Sequence, residues 1–227
     1  MKKKIVVLTG AGMSAESGIN TFRDSNGLWE NHDIMEVASP EGWRKNPALV
    51  IDFYNKRRAQ LKEVKPNRGH EILAELEKDF DVQIITQNVD NLHEKAGSTK
   101  ILHLHGELVK VRGEFSENES IYWENDISIG DVNENAEQLR PDIVWFGEAV
   151  PAIDEAIPMM KQANIVIIIG TSLQVYPAAG LMHYAKSYVP VYYIDPKPAS
   201  IYDLPNPLEV LKMSASEGLS KIQNQLQ

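Results

Sequence analysis

The chain has 227 residues, 43% of them hydrophobic, enough for one large domain with a core of its own. Its net charge of −9 disfavours nucleic acid and anionic membranes as partners, because both require clustered Lys and Arg. Cysteine is absent, which excludes disulfides, thiolate catalysis and thiolate-bound metal.

Met1-Lys2-Lys3-Lys4 is followed by only a short apolar run before Gly10, so the start reads as neither a signal peptide nor a membrane span. A soluble cytoplasmic protein is expected. Lys4–Thr9 reads as a buried strand that breaks into Gly10-Ala11-Gly12-Met13-Ser14-Ala15-Glu16-Ser17-Gly18, a glycine turn predicted to open a helix. Gly10-x-Gly12-x-x-Ala15 fits the loose dinucleotide fingerprint, in which bare backbone approaches a pyrophosphate and helix N–H groups face it. A turn needed only for packing also favours glycine. Asp24–Pro47 carries no clear strand. Helices are predicted at Pro47–Glu63 and Arg68–Lys78, and a strand at Val82–Thr86. A hydride-transferring dinucleotide fold places its second strand, ending in an acid, roughly 20 residues after the glycines. Here the next convincing strand begins roughly 70 residues on, which removes most of the support for a dehydrogenase.

Thr86-Gln87-Asn88-Val89-Asp90-Asn91-Leu92-His93 follows that strand at its carboxyl end, where α/β sheets bind ligands. Gln87, Asn88 and Asp90 offer two amides and a carboxylate, suited to ribose and carboxamide groups. The alternative is a helix cap formed by Asp90 or Asn91. In Ile101-Leu102-His103-Leu104-His105-Gly106, strand alternation puts His103 and His105 on one face. His105, at the strand end, can act as a general base near neutral pH, with a satisfied structural histidine as the alternative. A metal reading of the two rings lacks a third ligand spaced nearby. Lys110–Leu139 is polar and, with the stretch from Asp24, reads as a smaller lobe formed by about 24–66 and 107–140.

Further strands are predicted at Ile143–Phe146, Asn164–Gly170 and Val189–Ile194, and helices at Ile153–Gln162, Ala178–Lys186 and from Glu217. Strands separated by helices predict an α/β fold: one domain over 1–227, with a Rossmann-like parallel sheet covered by helices on both faces and a smaller inserted lobe. Phe146-Gly147-Glu148 and Gly170-Thr171-Ser172 add two polar turns at strand ends.

In this order, Gly10 to Gly18, Thr21-Phe22-Arg23, Thr86 to Asp90, Leu92-His93, Ala96-Gly97, His105-Gly106, Arg140-Pro141, Phe146-Gly147-Glu148 and Gly170-Thr171-Ser172 resemble the sirtuins (Sir2-like proteins), NAD-dependent protein lysine deacylases. The resemblance spans residues 10 to 172. It implies that Ala11, Gly12, Phe22 and Arg23 hold the pyrophosphate and nicotinamide ribose of NAD, with Gly10 and Glu16 in the same set. Gln87, Asn88 and Asp90 would bind ribose and nicotinamide. Gly170, Thr171 and Ser172 would contact the adenosine half, together with Asp195, which stands where Asn is common, and Ala215. NAD would be consumed as a co-substrate: the acyl oxygen attacks C1′ of the ribose and expels nicotinamide. His105 would then be the general base for the ribose hydroxyl that attacks the imidate, with Asn88 as the second catalytic residue. Phe146, Gly147 and Glu148 would bind the substrate peptide, which pairs there as an added strand. Acylated-lysine proteins or peptides are the implied partners, and a monomer is expected.

Two features refine the resemblance. On a helix, Val50, Tyr54, Arg57 and Leu61 share one stripe, and an arginine in an apolar stripe is out of place unless it meets an anion. Tyr54 and Arg57 match the pair with which sirtuins of the desuccinylase and demalonylase class grip an acyl carboxylate, and Thr21 also resembles that class. A guanidinium fork fits a carboxylate in bidentate fashion. The alternative is that Arg57 reaches the surface or pairs with a local acid. The second feature is a departure. Most sirtuins carry two Cys-x-x-Cys pairs that bind zinc; here Gly113 and Ser116, then Val132 and Asn135, stand in those places. No histidine lies between Gly106 and Gly147, and carboxylates alone suit hard cations, so a lobe without zinc is expected. Mono-ADP-ribosyl transfer or NAD hydrolysis, and a non-catalytic NAD-binding regulator, are the alternative functions.

Overall fold

Ile165-Val166-Ile167-Ile168-Ile169 is apolar on both faces of its pleat, and such a strand needs a cover on each side. In a computed structural model that describes residues 2–20, 28–29, 32–116 and 119–226, the run is enclosed on both faces. In chain order the elements are β1 (Lys4–Thr9), two 3-10 turns (Ala11–Met13 and Ala15–Ser17), β2 (Leu28–Trp29), β3 (His32–Asp33), α1 (Ile34–Val37), α2 (Pro40–Lys45), α3 (Pro47–Glu63) and α4 (Arg68–Leu76). Next come β4 (Asp81–Thr86), α5 (Leu92–Lys95), β5 (Ile101–His103), β6 (Gly106–Gly113), β7 (Ile121–Tyr122) and β8 (Leu139–Ile143). The chain ends with α6 (Ile153–Lys161), β9 (Ile165–Ile169), a 3-10 helix (Ala178–Tyr184), β10 (Val191–Ile194), β11 (Leu208–Leu211) and α7 (Ala215–Leu226).

Six strands form a parallel sheet in the order β11-β10-β9-β1-β4-β5. Its two faces follow directly from the period of two. Ile5, Val7, Ile165, Ile167 and Ile169 pack with Ile72, Leu73 and Leu76 of α4 and Leu219 and Ile222 of α7. Val6, Leu8, Val166 and Ile168 pack on the other side with Ala156 and Met160 of α6 and with Leu181 and Met182. Burying each such aliphatic side chain is worth about 1.5–3 kcal/mol, so the two helical covers carry the sheet. A third cluster joins Val37, Trp43, Phe53 and Tyr54 to Val111, Leu139 and Ile143 of the antiparallel sheet β7-β6-β8 and to Trp145 just after it. Among the described residues no helix is long and apolar enough to cross a membrane.

The α/β fold with a parallel sheet agrees with expectation, and so do the bounds of α3. Asn46 caps α3 by accepting from Leu49 N, and Pro47 sits in its first turn, where a missing N–H costs nothing. Four expectations are corrected, and one strand lies where none was expected. The strand expected at Ile143–Phe146 is Leu139–Ile143 and lies in the antiparallel sheet; its buried Arg140 hides it from a hydrophobic pattern. β11 is a partly exposed edge strand interrupted by Glu209, so its sequence carries no apolar run that signals a strand. The segment Ala178–Lys186 is a 3-10 helix ending at Tyr184. Asp24–Pro47 holds the short ladder of β2 and β3, too brief for a period to show. The helix expected after the glycine turn is replaced by two 3-10 turns, the second stopped by Gly18 at φ 88°.

The glycine turn meets a second backbone. Gly10 N donates to Ile169 O at 2.9 Å and Gly12 N to Gly170 O at 2.8 Å. A Cβ on Gly12 would stand 2.6 Å from Gly170 Cα, and Gly170 itself has φ +61°, a left-handed conformation. Neither backbone can retreat without breaking those hydrogen bonds. Gly12→Ala is therefore expected to cost about 1–3 kcal/mol in thermal unfolding, the range for overpacking a close contact. An unchanged melting temperature would count against this close approach.

Candidate active site

Parallel strands in register end together. Thr9 pairs with Thr86 and with Ile169, Ile169 with Ile194, and Thr86 with His103. The segments that follow, Gly10–Ser14, Gln87–Asp90, Gly170–Ser172, Asp195 and Leu104–His105, therefore reach one edge of the sheet. That edge is where an open α/β sheet binds its ligands.

Ser14 joins two of these segments. Its hydroxyl donates to Asp90 Oδ2 at 2.8 Å and accepts from Asn88 Nδ2 at 3.1 Å, and all three residues are buried. Asp90 Oδ1 also accepts from Leu92 N at 3.1 Å, so the carboxylate serves the start of α5 and the polar network at once. Burial pushes the Asp90 pKa up, and the donors Leu92 N and Ser14 Oγ oppose that rise. Gln87 Nε2 donates to Thr171 Oγ1 at 3.2 Å and so ties the turn after β4 to the turn after β9.

The His105 ring has one defining partner. Its Nδ1 lies 3.1 Å from Gln87 O. A carbonyl can only accept, so Nδ1 carries the hydrogen and the neutral ring keeps its lone pair on Nε2. Burial lowers the His105 pKa, partly offset by the Gln87 carbonyl, which leaves a neutral base at pH 7. β5 ends at His103, so the alternation expected to pair the two rings does not run on to His105. His103 instead bonds Asn88 O at 3.0 Å through Nδ1 and Glu94 Oε1 at 2.8 Å through Nε2.

Other expected residues take visible structural partners. Glu16 accepts from Ser214 Oγ at 3.2 Å and Ser216 N at 2.9 Å, which ties the glycine segment to the start of α7 beside buried Ala215. Asp195 Oδ1 accepts from Lys197 N at 2.8 Å, and its side chain is buried. Ala11 is half-buried beside buried Gly10. Thr21, Phe22 and Arg23 lie outside the described residues.

On α3, Tyr54 is fully buried and its hydroxyl accepts from Trp145 Nε1 at 3.0 Å. Burial pushes its phenol pKa up, with the Trp145 hydrogen bond opposing, so the group stays protonated. Arg57 is half-buried, its guanidinium 4.6 Å over the Phe53 ring. Neighbouring Arg58, which hydrophobic patterning did not single out, is more deeply buried and donates from Nε to Leu108 O at 2.9 Å.

Phe146 is exposed and its N–H donates to Ala38 O at 3.0 Å; Gly147 follows at φ +93°. Glu148 has a demanding task of its own. Its carboxylate takes Arg140 Nη1 at 2.8 Å and Nη2 at 3.2 Å, and Trp145 N at 2.7 Å. The Arg140 guanidinium carbon also lies over the Trp145 ring, 3.3 Å from its centroid. This buried fork fixes the turn that places Trp145 against Tyr54.

Beside Gly113, Ser116, Val132 and Asn135, a carboxylate joins the segments that connect the strands. Ser116 Oγ donates to Glu137 Oε2 at 2.6 Å, and Asn133 Nδ2 donates to the same oxygen at 3.1 Å. Asn55 of α3 clamps Ile127, accepting from its N and donating to its O, each at 2.9 Å. Gly113, Ser116, Val132 and Asn135 offer no thiolate or imidazole, so this donor set does not fit zinc. Glu137→Ala is expected to cost about 1–3 kcal/mol, since two half-buried donors lose their acceptor. Calorimetry showing no loss, or metal analysis finding one zinc per chain, would contradict the hydrogen-bonded arrangement.

Known proteins resemble this chain over nearly its whole length. A protein of Helicobacter pylori named NAD-dependent protein deacylase is 58% identical over 224 residues, covering 99% of this chain and 97% of its own. A protein of Bacteroides thetaiotaomicron with the same name is 56% identical over 230 residues, covering 99% and 98%. The crystal structure of a Sir2 homolog–NAD complex superposes with a TM-score of 0.86 at 36% identity, over 99% of this chain and 90% of that one. The Sir2 family profile matches residues 10–177, a span that holds the glycine turn, Ser14, Asn88, Asp90, His105 and Thr171. On that match and those identities, the chain belongs to the Sir2 family.

Proposed function

We propose that the protein is an NAD-dependent protein lysine deacylase that consumes NAD as a co-substrate and prefers acidic acyl groups, succinyl and malonyl, while also accepting acetyl. The observation that carries the catalytic part is the contact of His105 Nδ1 with Gln87 O, which leaves Nε2 to accept a proton, at the same sheet edge as the buried Ser14–Asn88–Asp90 network. The cradle suits a dinucleotide: Gly10, Gly12 and Gly170 put no Cβ where two backbones already touch.

NAD supplies a ribose carbon whose bond to nicotinamide is broken. Asn88 and Asp90, held by Ser14, orient the ribose and carboxamide from a site that lost its own freedom on folding, so little ordering is left for binding. His105 Nε2 accepts the proton of the ribose hydroxyl as that oxygen attacks the acyl-bearing carbon, and Gln87 O keeps the imidazole in the tautomer that this requires. Phe22 and Arg23 belong to the proposed NAD set, with Ala11, Glu16, Gln87, Thr171, Ser172, Asp195 and Ala215.

The acyl preference rests on Tyr54 and Arg57 of α3, a phenol that keeps its hydrogen and a guanidinium on the same helix face. The peptide is proposed to pair beside Phe146 and Gly147, with Glu148 holding that turn through Arg140. The protein is proposed to act as a monomer in the cytoplasm. Mass spectrometry of acetyl-, succinyl- and malonyl-lysine peptides incubated with NAD tests the reading. O-acyl-ADP-ribose supports it; ADP-ribosylated protein indicates a transferase, and absence of NAD turnover a regulator.

A further inference from the structure

His103 is not part of the proposed chemistry, yet it is built into the segment that performs it. Its side chain is only 7% exposed at the end of β5, and it bonds to two acceptors at once. Asn88 O, 3.0 Å from Nδ1, can only accept, and the Glu94 carboxylate, 2.8 Å from Nε2, accepts when ionised. A ring that donates from both nitrogens is an imidazolium.

We propose that His103, held by Glu94, is a positioning residue that clamps the Asn88 carbonyl and thereby sets the Gln87–Asp90 turn for NAD. The kinetic part of this proposal rests on the deacylase reading above. Losing a proton breaks the clamp in a definite way. The remaining hydrogen stays on Nε2 with the carboxylate, and the Nδ1 lone pair then faces the lone pairs of Asn88 O. The turn must shift, and Asn88 and Asp90 shift with it.

The groups around the ring favour its charged form. Glu94 faces it from α5 and Glu107 from β6, where Lys110 Nζ pairs with Glu107 at 2.5 Å. Asp90 lies close enough for the imidazolium to favour its carboxylate, and buried His93 is disfavoured as a second cation by His103. Burial opposes the charge on His103, and the hydrogen bond and charge of Glu94 outweigh it, so the pKa is raised above the ordinary histidine value of 6.5. Because the folded pKa is raised, the clamp is complete below pH 6.5 and is lost as pH rises through the folded value.

Nitrogen-15 NMR of the imidazole signals, followed from pH 6 upward, tests the clamp in the wild-type protein. Both His103 nitrogens are expected to carry hydrogen at the low end, and the Asn88 and Val89 amide signals are expected to move as one hydrogen is lost. kcat/KM for NAD is expected to fall about tenfold per pH unit above the same midpoint. Glu94→Gln, on an exposed helix face, is expected to shift NMR and kinetic midpoints together to about one pH unit lower. A His103 that is neutral throughout, or a Glu94→Gln midpoint equal to wild type, would overturn the proposal. An enzyme inactive on every acyl peptide would overturn the deacylase reading, while the coupled movement of ring and amide signals would still decide for or against the clamp.

Discussion

Replacing His105 by alanine is expected to lower acyl-lysine turnover by roughly 10²–10⁴-fold, the range for loss of a positioned general base. The loss should fall on kcat and kcat/KM together, because Nε2 is needed only as the ribose hydroxyl gives up its proton. Exchange of labelled nicotinamide into NAD, which precedes that step in the proposed order, should persist in the variant. The pH profile carries the same signature. Burial lowers the His105 pKa, so the neutral base is retained down through the ordinary value of 6.5 and the acid limb should lie below it. Rapid-quench assays with one acyl peptide across pH 5 to 8, each read at saturating NAD, would measure both effects. A variant that retains turnover, or an acid limb at or above pH 6.5, would remove His105 from the role.

Arg57→Met is expected to reduce kcat/KM for a succinyl-lysine peptide by about 10²-fold or more and to leave acetyl turnover within about threefold. Truncating one partner of a desolvated, hydrogen-bonded charge pair costs about 2–5 kcal/mol, and each 1.4 kcal/mol is a factor of ten. Methionine keeps an apolar stem over the Phe53 ring, so α3 should hold its packing while the charge is removed. Parallel progress curves with succinyl and acetyl peptides of one sequence would give the ratio. Equal losses on the two peptides would mean that Arg57 supports the helix and does not read the acyl group.

Some of this fold can be read from residues that act locally. Asn46-Pro47 carries the start of α3 because both residues satisfy a helix N-terminus on their own, and the five aliphatic residues of β9 need no distant partner to read as buried. β8 cannot be read that way. Its centre is Arg140-Pro141, and arginine is buried there only because Glu148 returns to meet it after the turn. The glycine turn shows the same division. Its motif is visible within Gly10–Gly18, but the reason for Gly12 is the backbone of Gly170, far along the chain. At the site, Asn88, Asp90 and His105 stand at readable strand ends. Ser14 reads only as part of a motif, and its hydroxyl becomes the link between Asn88 and Asp90 once β1 and β4 end side by side. Alternation alone pairs His103 with His105 in the sequence, and the strand stops before that rule can reach His105.

Deacylation by this protein is expected to cleave bound NAD. Incubating the wild-type protein with a succinyl-lysine peptide and NAD, and counting products by quantitative mass spectrometry, tests it most directly. The account predicts nicotinamide, free-lysine peptide and O-succinyl-ADP-ribose in equal amounts. Free-lysine peptide with free succinate and intact NAD, or nicotinamide released while the peptide stays acylated, would contradict it.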